Sequence, residues 1–180
     1  MVRRGISAGL PVFPWDTLAD ATVRATFDST RADAVLPSFH SMRIVDDRGH
    51  VSTSFAAASA ASLRFTAIDV IPGMNGVSGL YALVPAAHTS VAWSPHGASA
   101  WQPLDTRVDA EELANSLDEA TQLGHPAAGT SFVTDLGPVT RSRGDIDLRV
   151  HIEDAAGNAV EYVLAPAMTV RDARRRTAGK

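Results

Sequence analysis

Between His88 and Gln102 the chain gathers two of its three tryptophans and two of its six histidines around a Ser-Pro-His-Gly turn. Residues of these types do two kinds of work. Trp93 and Trp101 can form an aromatic platform for a sugar, a base or a partner's proline, and His96 can supply a polar contact beside them. The competing reading packs both indoles into the core, because Val91, Ala92 and Trp93 fall in the alternation of a strand with one buried face. His88 and His96 could also ligate a metal together with a carboxylate. Their spacing of eight fits no metal motif, and neither His-Glu-x-x-His nor His-x-His occurs, so no metal is expected.

Other chemistries are closed by what is missing. The chain has fifteen arginines, a single lysine at Lys180, and no cysteine. A pyridoxal-phosphate enzyme needs a buried lysine, and a phosphate-binding P-loop needs the lysine of its Gly-rich turn. Without a thiol there is no cysteine nucleophile, disulfide, redox pair or Cys-ligated metal. Gly76-Val77-Ser78-Gly79 approaches a nucleophile elbow but fails it, since residue 80 is Leu where Gly is required. Gly73-Met-Asn-Gly76 reads as a turn, because no helix start follows to cradle a phosphate. Asp69 and Glu153 are acid/base candidates on different predicted strands. Arg143-Gly144-Asp145 reads as the turn into a strand. No cofactor is expected.

A second set of candidates is electrostatic. The net charge of −4 is uneven: residues 1–4 carry +2 and residues 171–180 carry +4, leaving about −10 on the body between them. An acidic body repels phosphate backbones, so nucleic acid is not an expected partner except through the tail. The tail's Arg174, Arg175 and Arg176 are complementary to a predicted helix starting at Asp109. That helix has a capping-box-like opening at Asp109 and Glu112, an apolar stripe of Ala110, Leu113, Leu117 and Ala120, and a stop at Gly124-His125-Pro126. Its other face carries Glu111, Glu112, Asp118 and Glu119 with no basic residue among them, so the usual i to i+4 ion pairs are missing. Such a face is either simply solvated or a landing surface for the arginine tail of another copy.

These candidates need a scaffold. One hundred and eighty residues suffice for one domain burying roughly 70% of the surface of the unfolded chain. No run reaches the roughly 20 apolar residues that cross a bilayer, and the opening Met-Val-Arg-Arg lacks a signal-like apolar segment, so no membrane is expected as partner. Arginine in place of lysine, with much alanine, fits GC-rich coding, as in a high-GC bacterium or its phages.

The segment Leu10-Pro-Val-Phe-Pro-Trp-Asp-Thr-Leu-Ala-Asp-Ala21 opens with two prolines that hold it extended, so Phe13 and Trp15 offer large apolar surfaces to something. Exposed apolar surface costs about 25 cal/mol per Å², which calls for a cover. Asp16 is a plausible N-cap for a short helix to about Phe27, where Trp15, Ala19, Val23 and Phe27 recur every fourth residue. These twelve residues resemble the opening of actinobacterial aminotransferases acting on succinyl-diaminopimelate, in which a similar Phe-Pro-Trp-Asp segment precedes a long pyridoxal-phosphate fold. The resemblance stops there; both the length and the internal lysine are missing here, so it implies no activity, cofactor or site residue.

From Ser41 the pattern becomes that of strands. Met42, Ile44 and Val51 flank the turn Asp46-Asp47-Arg48-Gly49, predicting a hairpin over 41–55. Leu63, Phe65 and Ala67 alternate up to Pro72-Gly73, and Leu80, Ala82 and Val84 up to Pro85. Most regular is 146–153, where Ile146, Leu148, Val150 and Ile152 interleave with polar residues. After the turn Asp154 to Asn158, Val160, Tyr162 and Leu164 continue the alternation. Both turns read Ile-x-Asp-x-x-Gly, in which Asp bonds the turn backbone and Gly takes a positive φ.

The expected architecture is α+β, mainly β. It is an antiparallel β-sandwich or curved sheet with one packed amphipathic helix and extended termini: an arm over 1–15, a globular domain over 16–170 and a basic tail over 171–180. The expected function is non-enzymatic binding or assembly, as a phage virion or other multimeric bacterial component, cytoplasmic or in the virion, with a second copy or another protein as partner. Phe13, Trp15, Trp93, His96 and Trp101 are its candidate contacts. The alternative is a small enzyme or ligand-binding β-barrel using histidine and carboxylate chemistry.

Overall fold

A computed structural model describes residues 21–26, 36–70, 81–84, 86–112 and 129–172. The arm with Phe13 and Trp15, the two glycine motifs between 73 and 79, Asp118, Glu119 and the tail arginines Arg174, Arg175 and Arg176 lie outside these residues.

The described chain is mainly strand, in two packed sheets. Its strands are β1 (Ala21–Thr26), β2 (Ser38–Asp46), β3 (Ser54–Ala56), β4 (Ala61–Val70), β5 (Tyr81–Leu83), β6 (Thr89–Pro95), β7 (Gln102–Leu104), β8 (Thr106–Val108), β9 (Thr130–Asp135), β10 (Gly144–Glu153) and β11 (Ala159–Arg171). The first sheet runs β1-β11-β10-β6-β7, with β3 parallel to the end of β11; the second runs β2-β4-β9-β8, with β5 on β4.

The alternation along β10 explains why the sheets pack. Ile146, Leu148, Val150 and Ile152 are fully buried, as are Leu164 and Met168 of β11. A strand buries every second side chain, so one face of the first sheet is a continuous apolar surface. It meets Phe39, Ile44, Leu63, Phe65 and Phe132 of the second sheet. Phe65 stacks on Phe132 at 5.1 Å between ring centroids, and Phe39 bridges the sheets by an edge contact with Tyr162 at 4.5 Å. Each such side chain taken out of water contributes roughly 1.5–3 kcal/mol, so this layer holds the domain together.

Two local expectations are corrected. The predicted helix ending near Phe27 is instead strand β1 from Ala21, antiparallel to β11 with Val23 opposite Tyr162. Thr22, Val23 and Thr26 are β-branched and suit a pleated surface, and the i to i+4 apolar recurrence is outweighed by a ready partner edge. In the 41–55 hairpin the turn forms, with Gly49 at φ +81° and Val45 bridging Val51. The returning chain then leaves β2: β3 joins β11 in the other sheet, and the partner of β2 is β4. The helix expected from Asp109 opens at Ala110, with Asp109 Oδ1 accepting the Glu112 N–H at 3.3 Å; the rest of the predicted helix, with Leu113, Leu117 and Ala120, lies outside the described residues. No helix among the described residues is long and apolar enough to cross a membrane.

Candidate functional site

The register of β10 with its neighbours settles which polar residues share the outer face of the first sheet. Arg149 lies opposite Ala92 of β6 and Val163 of β11, His151 opposite Ser90 and Glu161, and Asp147 opposite Ser94. All point away from the apolar layer, because they alternate with Leu148, Val150 and Ile152.

At one end of this face the turn after β6 folds back onto β10. Gly97 takes a positive φ of +75°, which closes the turn, and Ala98 N–H donates to the Pro95 carbonyl at 2.9 Å. His96 N–H donates to the Asp145 carbonyl, and Ser94 Oγ donates to the carbonyls of Ala98 and Pro95. Ser94 is fully buried and its hydroxyl faces carbonyls, so it is not placed as a nucleophile.

Asp147 is the pin of this arrangement. Its Oδ1 lies 2.7 Å from His96 Nδ1, and its Oδ2 accepts the Gly97 N–H at 3.4 Å. The carboxylate side chain is 9% exposed, while the imidazole is 48% exposed. A carboxylate on Nδ1 selects the orientation in which Nε2 carries the chemistry. The hydrogen bond to Asp147 and then its charge hold the His96 imidazole above the ordinary histidine value.

Trp101 stands beside this pair. The guanidinium carbon of Arg149 lies 4.9 Å from its ring centroid, a cation–π contact, and the Arg149 Nε is 3.7 Å from Glu161. Trp101 remains partly exposed, whereas Trp93 is buried opposite Gln102 and Leu148 on the inner face. The two tryptophans are thus separated. Trp93 fills the core and offers nothing to a partner; Trp101 and His96 lie on the surface, joined through Arg149 and Asp147, two residues apart on one strand and roughly 7 Å from each other.

The far end of the same face holds a looser group. Glu153 lies 3.8 Å from both His88 and His151, through different carboxylate oxygens. No group of three metal-ligating side chains suited to an ion occurs among the described residues. Asp69 is buried on β4 and Glu153 stands on β10 of the other sheet.

The acidic helix start meets this chain's own arginines. On the second sheet Arg43 and Arg64 are directly opposite one another. Asp109 is 2.9 Å from Arg64, and Glu112 is 3.7 Å from Arg43. Like charges on facing strands repel, and the helix start supplies the counter-charge. Of the acidic residues proposed as a landing surface, Glu112 therefore has a partner in the domain, while Glu111 is exposed.

Asp147 and Arg149 escape a reading of the sequence because both look like ordinary solvent-facing residues of an alternating strand. The signal available was Gly97 after His96, marking a turn that must fold onto something. Compared with models of protein families, with curated proteins and with solved structures, the chain matches none.

Proposed function

We propose that this domain is a non-enzymatic binding or assembly module, a β-sandwich serving as a component of a multimeric bacterial or phage structure. The observation that carries the reading is the partly exposed Trp101 held over Arg149 on the outer face of the first sheet, with His96 fixed beside it. Trp and Arg are the residues that most often dominate protein interfaces, because each offers a large rigid contact area with a polar handle. The contact lies on a sheet face rather than in an enclosed cavity, which suits a macromolecular partner better than a small one. The partner is taken to be a second copy of the chain.

The test is the solution mass of the full chain by light scattering across a concentration series, beside Trp101→Ala. A multimer that shifts towards monomer in W101A is expected. A wild-type protein that stays monomeric throughout removes the self-assembly reading.

One observation favours a second reading, a small hydrolytic enzyme. The Asp147–His96 pair, with the imidazole half-exposed and its Nδ1 held by the carboxylate, suits an oriented general base. Hydrolysis of an activated ester at equal rates by wild type and His96→Gln would dispose of it.

A further inference from the structure

Of the four histidines whose side chains are described, three meet the outer face of the first sheet, each beside a carboxylate. His96 is tied to Asp147 at the Trp101 end; at the other end His88, just before β6, and His151 share Glu153 at 3.8 Å. All three imidazoles are more than one third exposed. In each, one ring nitrogen faces the carboxylate and the other has no hydrogen-bond partner among the described residues. A neutral imidazole has a single N–H to donate. A charged one keeps its carboxylate and has a second N–H left for an acceptor on another molecule.

The groups around them set the charge of the face. On β10, Asp145, Asp147, Arg149 and Glu153 alternate with the buried residues. β11 adds Glu161 opposite His151, and Arg24 of β1 holds the register position opposite Glu161. β6 contributes no charge, only Ser90, Ala92 and Ser94. At the strand ends Arg143 pairs with Asp172 at 2.8 Å, and Arg171 is exposed. Five carboxylates thus stand against four guanidiniums, a net of −1 while the imidazoles are neutral and +2 once all three are charged. The face changes sign within the range in which histidine titrates, between about pH 5 and 8.

A second copy of this chain brings what the charged face takes. Asp47, Asp105 and Glu111 are exposed on other parts of the molecule and have no ion pair among the described residues. Against such carboxylates the face is repulsive when its imidazoles are neutral and attractive when they are charged.

We propose that the outer face of the first sheet is a proton-gated contact between copies, made when His88, His96 and His151 are charged and released when they are neutral. The gate rests on the self-assembly reading above and adds what regulates it.

The test is the dissociation constant of the full chain, from light scattering over a concentration series at pH 8 and pH 6 and fixed ionic strength. Uptake of one proton per contact strengthens association about tenfold for each pH unit in the titration range, so association at least about tenfold tighter at pH 6 is expected. The combined change His88→Gln, His96→Gln, His151→Gln should hold the weak pH 8 value at both pH values, with circular dichroism showing that the fold is kept. His50→Gln, in the β2–β3 turn beside Asp46, should keep the wild-type response. Glu153→Gln removes a negative charge from the face and should associate more tightly than wild type at pH 8. A multimer of equal strength at both pH values overturns the gate and leaves the self-assembly reading standing. A monomer at every pH overturns both. A pH response that persists in the triple variant overturns the gate as well, because the protons then bind elsewhere.

Discussion

The two turns that share the pattern Ile-x-Asp-x-x-Gly should respond very differently to loss of their aspartate. In both, Oδ1 accepts the N–H groups two and four residues on: Arg48 and His50 for Asp46, Ala156 and Asn158 for Asp154. The difference is burial. Asp154 and Asn158 are fully buried, and Asp154 Oδ2 also accepts from Asn158 Nδ2 at 2.8 Å. Asp154→Ala removes three hydrogen bonds, two of them donated by the fully buried Asn158. At about 1–1.5 kcal/mol for each bond lost in a site that water does not reach, the cost is roughly 3–5 kcal/mol. With a urea slope of about 2 kcal/mol per M, the midpoint falls by roughly 1.5–2.5 M. Asp46→Ala should shift it far less, because solvent replaces the carboxylate at exposed amides. Asp154→Asn should lie between, since its carbonyl still serves the two backbone N–H groups while its NH2 faces that of Asn158. Urea unfolding followed by circular dichroism with an unchanged slope is the assay. Equal losses in the two alanine variants would refute the argument that burial, rather than the shared turn geometry, sets the energy.

Two further outcomes are expected. The His96 imidazole should titrate above 6.5, and Asp147→Asn should return it towards that value in an NMR titration. The raised value means that the charged tie between turn and strand is complete below about pH 6.5 and is lost as pH rises through the folded value, so protection of the Gly97 amide from exchange should fall over that range. If Asp147→Asn leaves the titration unmoved, Asp147 is not its cause. At Gly129 an added Cβ would overlap the Ala67 carbonyl and the Ile68 side chain, both on β4, so Gly129→Ala should lose about 1–3 kcal/mol or more in thermal unfolding. Gly137→Ala, which meets only the Asp135 carboxylate at 3.2 Å, should be nearly neutral, and similar losses at both positions would refute the clash.

What the sequence revealed followed how one-sided each segment's environment is. β10 and β11 bury one face and wet the other, so alternation alone marked them and the turn between them. β1 was misread because Val23 and Phe27 satisfy a helical recurrence, and nothing local shows that the edge of β11, some 140 residues away, is waiting. Trp93 and Trp101 looked equivalent for a related reason. Their fates depend on which face of the sheet each meets, and that is set by the pairing of β6 with β7 and β10. Asp147 was hidden by its own regularity: an outward residue on a strand is ordinarily wet, and only the fold-back of 95–98 buries it. The acidic helix was legible as charge, but its arginine counterparts lie on β2 and β4, at separations no local pattern reports.

The pairing of β1 with β11 also bears on how the molecule is made. During synthesis β1 emerges early, while the strand that completes its hydrogen bonds is among the last of the described elements to leave the ribosome. Sheet neighbours of such sequence separation close slowly, because the ordering cost falls due before any contact is gained. For most of translation, then, the first strand is an unpaired edge, and crowding among nascent chains on one message would test it more severely than any condition met by the finished protein.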